Sequence, residues 1–154
     1  MTIAPIVRTV IVKAPPDRAF AVFTGSIAKW WPVGQTIGAQ PHVDIVLEPR
    51  SGGRWFERSA DGVETNWGRV LAWEPPSRLL LAWQIGAGFK YDATFETEVE
   101  LTFVPTDEGT LVTLEHRNLE RFGAAAESMA TTLGGGWPTF LQLFADFTEK
   151  ETTR

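Results

Sequence analysis

The sequence predicts an α+β domain in which a strongly curved antiparallel sheet of about seven strands wraps around one long C-terminal helix. Three observations carry that expectation. From Phe95 to Phe103, apolar or small residues at 95, 97, 99, 101 and 103 alternate with Glu96, Glu98 and Glu100, the mark of a strand with one buried and one wet face. Turn signals, Asp61-Gly62 above all, divide the middle of the chain into short β-rich runs. Near the C-terminus, Met129, Leu133, Trp137, Phe140, Phe144 and Phe147 recur at helical spacing as a single apolar stripe.

The elements follow in order. Residues 6–14 are rich in β-branched side chains and form the first strand. Proline at a first helical turn, then Ala19, Phe20, Val22 and Phe23, gives a short helix that Gly25 ends. Ser26 is placed to cap a second short helix through Trp31, which Pro32 stops. Strands are expected at 42–48, 54–59, 64–73, 78–85, 94–104 and 110–118. Gly134 to Pro138 interrupt the C-terminal helix, where each glycine costs about 1 kcal/mol and a proline about 3. The stripe stays in phase across them, which predicts one kinked helix and not two. No repeat or linker is present, so residues 1–154 read as one domain.

Pairing across the Asp61-Gly62 turn sets Trp55 opposite Gly68 and Glu57 opposite Asn66, and the next turn sets Val70 near Leu81 and Gly68 near Trp83. The helix-facing side then collects Trp55, Glu57, Asn66, Val70, Leu79, Leu81 and Trp83, joined by Phe95, Thr97, Val99 and Leu101 and by Val112, Leu114 and His116. The same register turns Phe56, Trp67, Leu71, Trp73 and Leu80 away from the helix. An apolar patch of that size marks an interface, here a homodimer contact, unless the short helices or loops cover it.

Composition narrows the partners. The net charge is −5 and no two Lys or Arg residues are adjacent, which argues against nucleic acid and anionic membranes. No apolar run approaches the roughly 20 residues of a membrane-spanning helix. The N-terminus lacks the pattern of a secretory signal, and there is no cysteine for a disulfide, thiolate nucleophile or metal site, which suits a cytoplasmic protein. With only His42 and His116, in distant strands, no metal is expected, and no organic cofactor either. Seven tryptophans predict an aromatic core, an aromatic cavity or an apolar face.

This order of elements, together with "GGRWFE", "WGRVLAWEPPSRLLLAW" and "GWPTFLQLFADF", resembles the START-like or SRPBCC superfamily, in its branch named after the activator of the heat-shock-protein-90 ATPase. "WWP", "LEHR" and "ERFG" are similar to a bacterial subgroup of that branch. The resemblance spans essentially the whole chain and implies a helix-grip fold with a cavity between sheet and C-terminal helix. Relatives bind lipids, sterols, polyketides or plant hormones there, and a minority catalyse cyclisation or aromatisation. The co-chaperone that names the branch carries a further N-terminal domain for which this chain has no room.

Within such a cavity the expected ligand-binding residues are Trp30, Trp55, Glu57, Asn66, Trp83, Phe95, Thr97, His116, Trp137, Leu141 and Phe144. Trp30 or Trp31 is placed at the mouth, and Phe89 and Tyr91 lie in a glycine-containing loop that reads as a lid or as a plain surface turn. His116 and Glu57 are the candidates for catalysis, with three readings open for His116: a structural or rim residue, a ligand-orienting group, or a general acid or base. Glu115 and Arg117 read as an outward-facing surface pair. The function expected is binding of a small hydrophobic or aromatic molecule. A cyclase or aromatase using His116 and a protein-interaction module are the alternatives.

Overall fold

The computed structural model describes residues 3–32 and 34–152. Seven strands form one antiparallel sheet in the order β1-β7-β6-β5-β4-β3-β2. The strands are β1 (Ile6–Val12), β2 (His42–Leu47), β3 (Arg54–Ser59), β4 (Glu64–Glu74), β5 (Arg78–Trp83), β6 (Thr97–Thr106) and β7 (Gly109–Arg117). Helices α1 (Pro16–Gly25) and α2 (Ile27–Trp30) follow β1, and α3 (Ala126–Thr152) closes the chain after a 3-10 segment at Leu119–Ala125. Ser26 precedes α2 but makes no side-chain cap hydrogen bond. No helix among the described residues is long and apolar enough to cross a membrane. The sheet grips α3 as the sequence predicts, and the core between them holds Leu79, Leu81, Val99, Leu101, Val112, Leu114 and Phe144, all essentially inaccessible.

Helix α3 runs unbroken through Pro138. Proline has no N–H, so the carbonyl of Gly134 loses the helical donor four residues on. Arg8, on the inner face of edge strand β1, supplies the replacement: its Nε and Nη2 donate to that carbonyl at 3.3 and 3.1 Å. The anticipated interruption is thus bridged by a side chain from the far end of the sequence.

The predicted register holds at Trp55–Gly68, Gly68–Trp83 and Val70–Leu81 and fails on either side of them. Strand β4 carries two bulges. At the first, Trp55 pairs with Gly68 but Phe56 pairs with Asn66, leaving Trp67 as the extra residue. At the second, Val70 pairs with Leu81 and Ala72 with Leu80, leaving Leu71 over. Each bulge shifts the alternation by one and so exchanges the faces. Glu57 therefore pairs with Thr65, and Asn66 turns outward, where its Oδ1 accepts from Arg54 Nη2 at 3.0 Å. Trp67 turns inward and is buried, and Trp73 packs edge-on against Phe20 of α1 with ring centroids 5.1 Å apart.

These shifts correct the expected outer patch. Phe56 does face outward but is buried beneath guanidinium groups, with Arg54 and Arg58 at 4.0 and 5.5 Å from its ring centre. Only Leu71 and Leu80 of the five remain as half-buried apolar residues on that side. Much of the outer face carries ion pairs, including Arg117 with Glu98, Glu100 and Glu115, while toward the β1 edge Val7, Ile11 and Val104 are exposed.

The Arg8 contact gives a direct test. Arg8→Met leaves the Gly134 carbonyl without a donor and should cost about 1–2 kcal/mol in urea unfolding. In a Pro138→Ala background residue 138 regains its N–H, and the cost of Arg8→Met should shrink. Equal costs in both backgrounds would show that Arg8 acts elsewhere.

Candidate functional site

Between the sheet and α3 lies a cavity of about 320 Å³, near the lower end of the range of small-molecule sites, ~300–1,000 Å³. Its walls are Trp31, Trp67, Trp83, Trp137 and Phe140, and its rim is built from Gly34 to Ile37, Ile85, Phe89, Thr132, Leu133 and Gly136. The rings interlock. Trp31 lies 5.1 Å from Trp67 and 4.4 Å from Phe140, and Trp83 lies 5.7 Å from Trp137. Trp55 sits behind the wall, 5.4 Å from Trp67 and 5.8 Å from Trp83. Strands β4 and β5 close up at this level because residue 68 is glycine; a Cβ there would fall 1.8 Å from the Ala82 carbonyl oxygen.

Every indole N–H of the four wall tryptophans is bound to a protein acceptor. Trp31 donates to the Gln35 carbonyl at 2.6 Å, Trp67 to Glu57 Oε1 at 2.7 Å, Trp83 to the Ile85 carbonyl at 3.0 Å and Trp137 to His116 Nδ1 at 3.1 Å. What these four residues offer the cavity is ring carbon and π surface. Trp55 differs: its buried Nε1 has no partner among the described residues.

His116 is fully buried, and both ring nitrogens are engaged. Nδ1 accepts from Trp137, so the proton of the neutral ring resides on Nε2, 2.8 Å from Thr97 Oγ1. The Thr97 hydroxyl in turn donates a hydrogen bond to the Trp83 carbonyl at 3.4 Å. Burial holds the His116 pKa at about 3, well below its ordinary 6.5. This closed relay joins α3 to β7, β6 and β5, and it leaves neither nitrogen free for a ligand.

Glu57 is equally buried and lies in β3, with β4, β5 and β6 between it and β7. That is four strand spacings from His116, roughly 19 Å along the sheet. The expected acid–base pair of Glu57 and His116 is therefore not assembled. Glu57 Oε1 instead accepts the Trp67 indole and the Ile37 backbone N–H, at 2.7 and 2.8 Å, fastening the rim segment to the wall. Gly38 packs against the same carboxylate so closely that a Cβ would lie 2.8 Å from Oε2.

Of the residues expected around a ligand, Trp83 and Trp137 line the cavity. Trp55, Glu57, Thr97 and His116 stand behind its wall as the support just described. Trp30 and Phe144 pack on each other and on Phe23 in the core, Leu141 is buried on α3, and Phe95 stacks on Phe122, 4.9 Å away. Asn66 is on the outer face. The expected list lacks Trp67, Ile37, Ile85 and Leu133. Strict alternation turns Trp67 outward, and the bulge beside Gly68 is what brings it to the inner side. Among the described residues no group of three or more His, Cys, Asp or Glu is arranged to hold a metal ion.

The curved sheet, gripped helix and internal aromatic cavity define a helix-grip protein. Residues 13–149 match the family described as activator of Hsp90 ATPase homolog 1-like protein, and the chain belongs to that family. It is 35% identical to the anthrahydroquino-γ-pyrone synthase Txn09, solved in complex with SUM, over 94% of this chain and 97% of that one, with a TM-score of 0.67. It is 30% identical to CalC, a self-sacrificing resistance protein from Micromonospora echinospora, over 96% and 95% of the two chains, with a TM-score of 0.69. The Aha1 dimer from Colwellia psychrerythraea shares the fold at 18% identity, with a TM-score of 0.66 and coverage of 96% and 97%. None of the curated proteins matches the chain.

The buried imidazole makes stability depend on pH in a defined direction. Its folded pKa is about 3 against 6.5 when exposed, so between these values the unfolded chain binds the proton first. The His116 contribution is intact above pH about 6.5 and is withdrawn as pH falls toward 3, by up to about 1.4 kcal/mol per unit. Urea unfolding at several pH values should show a steeper acid loss for the native protein than for His116→Asn. Parallel curves would refute the assignment.

Proposed function

We propose that the protein binds a flat, fused-ring aromatic molecule in the cavity between the sheet and α3. The observation that carries this reading is the set of four wall indoles whose N–H groups are all consumed by the protein, leaving a wall of aromatic carbon with polar groups only at the rim. Aromatic rings stack in offset or edge-on geometry and gain about 0.5–1.5 kcal/mol per pair beyond burial alone. The name of the 35% identical Txn09 describes a synthase of a fused-ring aromatic, which supports the same ligand class here.

That relationship also supports a second reading, an enzyme acting on such a ring system. His116 and Glu57 do not serve it in this arrangement, and the polar side chains open to a ligand are Gln35, Thr36 and Thr132. Self-association has the Colwellia dimer as its precedent, and sedimentation of the purified protein tests it. A protein-interaction role loses its argument from the outer face, since Trp67 and Trp73 point inward.

Two measurements test the binding reading. Native mass spectrometry of the protein purified from its own host should show a retained small-molecule mass. Titration with 2-(hydroxymethyl)anthraquinone should saturate the native protein and fail with Gly136→Leu. Residue 136 lines the cavity, and the nearest atom to an added Cβ is a Phe140 ring carbon at 4.0 Å, so a side chain there starts out in open space. Removing a helical glycine should hold or raise the melting temperature, by up to about 1 kcal/mol of stability. Undiminished binding by Gly136→Leu would place the ligand elsewhere.

A further inference from the structure

We propose that the cavity selects electron-poor aromatic rings, those conjugated to carbonyl groups as in quinones and pyrones, over electron-rich rings of the same outline. The inference rests on the cavity being the ligand site and goes on to state its electronic preference.

An aromatic ring carries negative charge on its faces and positive charge at its edge. When an indole N–H donates a hydrogen bond, electron density moves from the acceptor side into the ring, and the face becomes more negative. In this cavity four indoles are polarised in that sense at once, by the carbonyls of Gln35 and Ile85, by the Glu57 carboxylate and by His116 Nδ1. The strongest acceptor of the four is the carboxylate oxygen, held at 2.7 Å from Trp67 Nε1. Glu57 is almost inaccessible, and no Lys, Arg or His side chain within ion-pair distance offsets it among the described residues. Burial keeps solvent from screening these dipoles.

The wall rings are tilted or edge-on to one another, and a ligand ring lying against the face of any of these indoles meets π surface made more negative by its N–H bond. An electron-rich hydrocarbon presents a like-signed face and gains less from stacking. A ring depleted by conjugated carbonyls presents a neutral or positive face and stacks favourably. The wall offers no N–H to a ligand carbonyl, and the carbonyl oxygens are left toward the rim, where Gln35, Thr36 and Thr132 can also favour them, so the ring faces are read by a charge-transfer band and not by affinity alone. Glu57 acts through Trp67 and is a positioning residue.

The test compares two molecules of one shape, 2-(hydroxymethyl)anthraquinone and 2-(hydroxymethyl)anthracene, titrated into the full chain. The anthracene is the more hydrophobic, so burial alone favours it. The quinone is nonetheless expected to bind about tenfold more tightly, the worth of one or two favourable stacks. Its complex should also show a broad absorption band at longer wavelength than either component, from charge transfer out of the indoles. Glu57→Gln, a weaker acceptor for Trp67, should shift that band to shorter wavelength. Equal or tighter binding of the anthracene, with no new band, would overturn the selectivity while leaving the cavity as a ligand site. Binding of neither molecule would remove the ligand-site reading, and the selectivity with it. A band unmoved in a folded Glu57→Gln protein would overturn the part assigned to Glu57, and if that variant does not fold, the presence or absence of the band in the native complex decides for the indole faces.

Discussion

The bond on which the arrangement depends is the one from the Trp137 indole to His116 Nδ1, 3.1 Å long and out of reach of water. It fixes the imidazole tautomer, and the tautomer fixes the direction of the remaining donors, through Thr97 to the Trp83 carbonyl. Polar groups in an apolar interior are tolerated when each finds a partner. Here that requirement orients the helix against the sheet. Trp137 is held with its N–H toward β7 and the rest of its ring toward the cavity, and Trp83 is set beside it. A packed hydrophobic seam would hold α3 in place with less directional control than a chain of three donors.

Glu57 plays the corresponding part on the opposite flank. Its carboxylate gathers one side-chain and one backbone N–H, from Trp67 and Ile37, and both residues border the cavity. The two buried polar residues that first suggest catalysis thus work as fastenings. Each holds one wall of the same void, and the wide separation of β3 from β7 is what leaves the void between them. Burying an ionisable group is costly unless it is well bonded, and both groups are bonded to residues that border the cavity.

Much of this was legible from residue pattern. The alternation of β6, with its three glutamates, placed Thr97, Val99 and Leu101 inward and by extension His116, all of which the structure confirms. The stripe on α3 placed Trp137 and Phe144 toward the sheet. Strand β4 was harder to read because it departs from strict alternation twice, and a bulge leaves little trace in a single sequence. Gly68 is the visible trace, since an isolated glycine in a strand signals a bulge or a close approach. Read in that way it would have turned Trp67 inward and Asn66 outward. The expectation of an outer tryptophan face followed from the missed bulges, and so did the omission of Trp67 from the cavity. The Glu57 fastening was illegible for a different reason: Ile37 lies in a segment without periodicity, and what ties it down is a contact across 20 residues.

The Arg8 contact to the Gly134 carbonyl joins residues 126 positions apart in the chain. Pro138 creates the need for that contact, and Arg8 meets it, so the two positions are not free to drift separately. A lineage that first exchanges Pro138 for a residue with an N–H makes Arg8 dispensable, after which position 8 can wander. A lineage that loses Arg8 first passes through a weakened intermediate. The order of substitution is therefore biased, and sequences descended from this one should retain proline at 138 mainly where arginine, or another donor long enough to reach α3, persists at position 8.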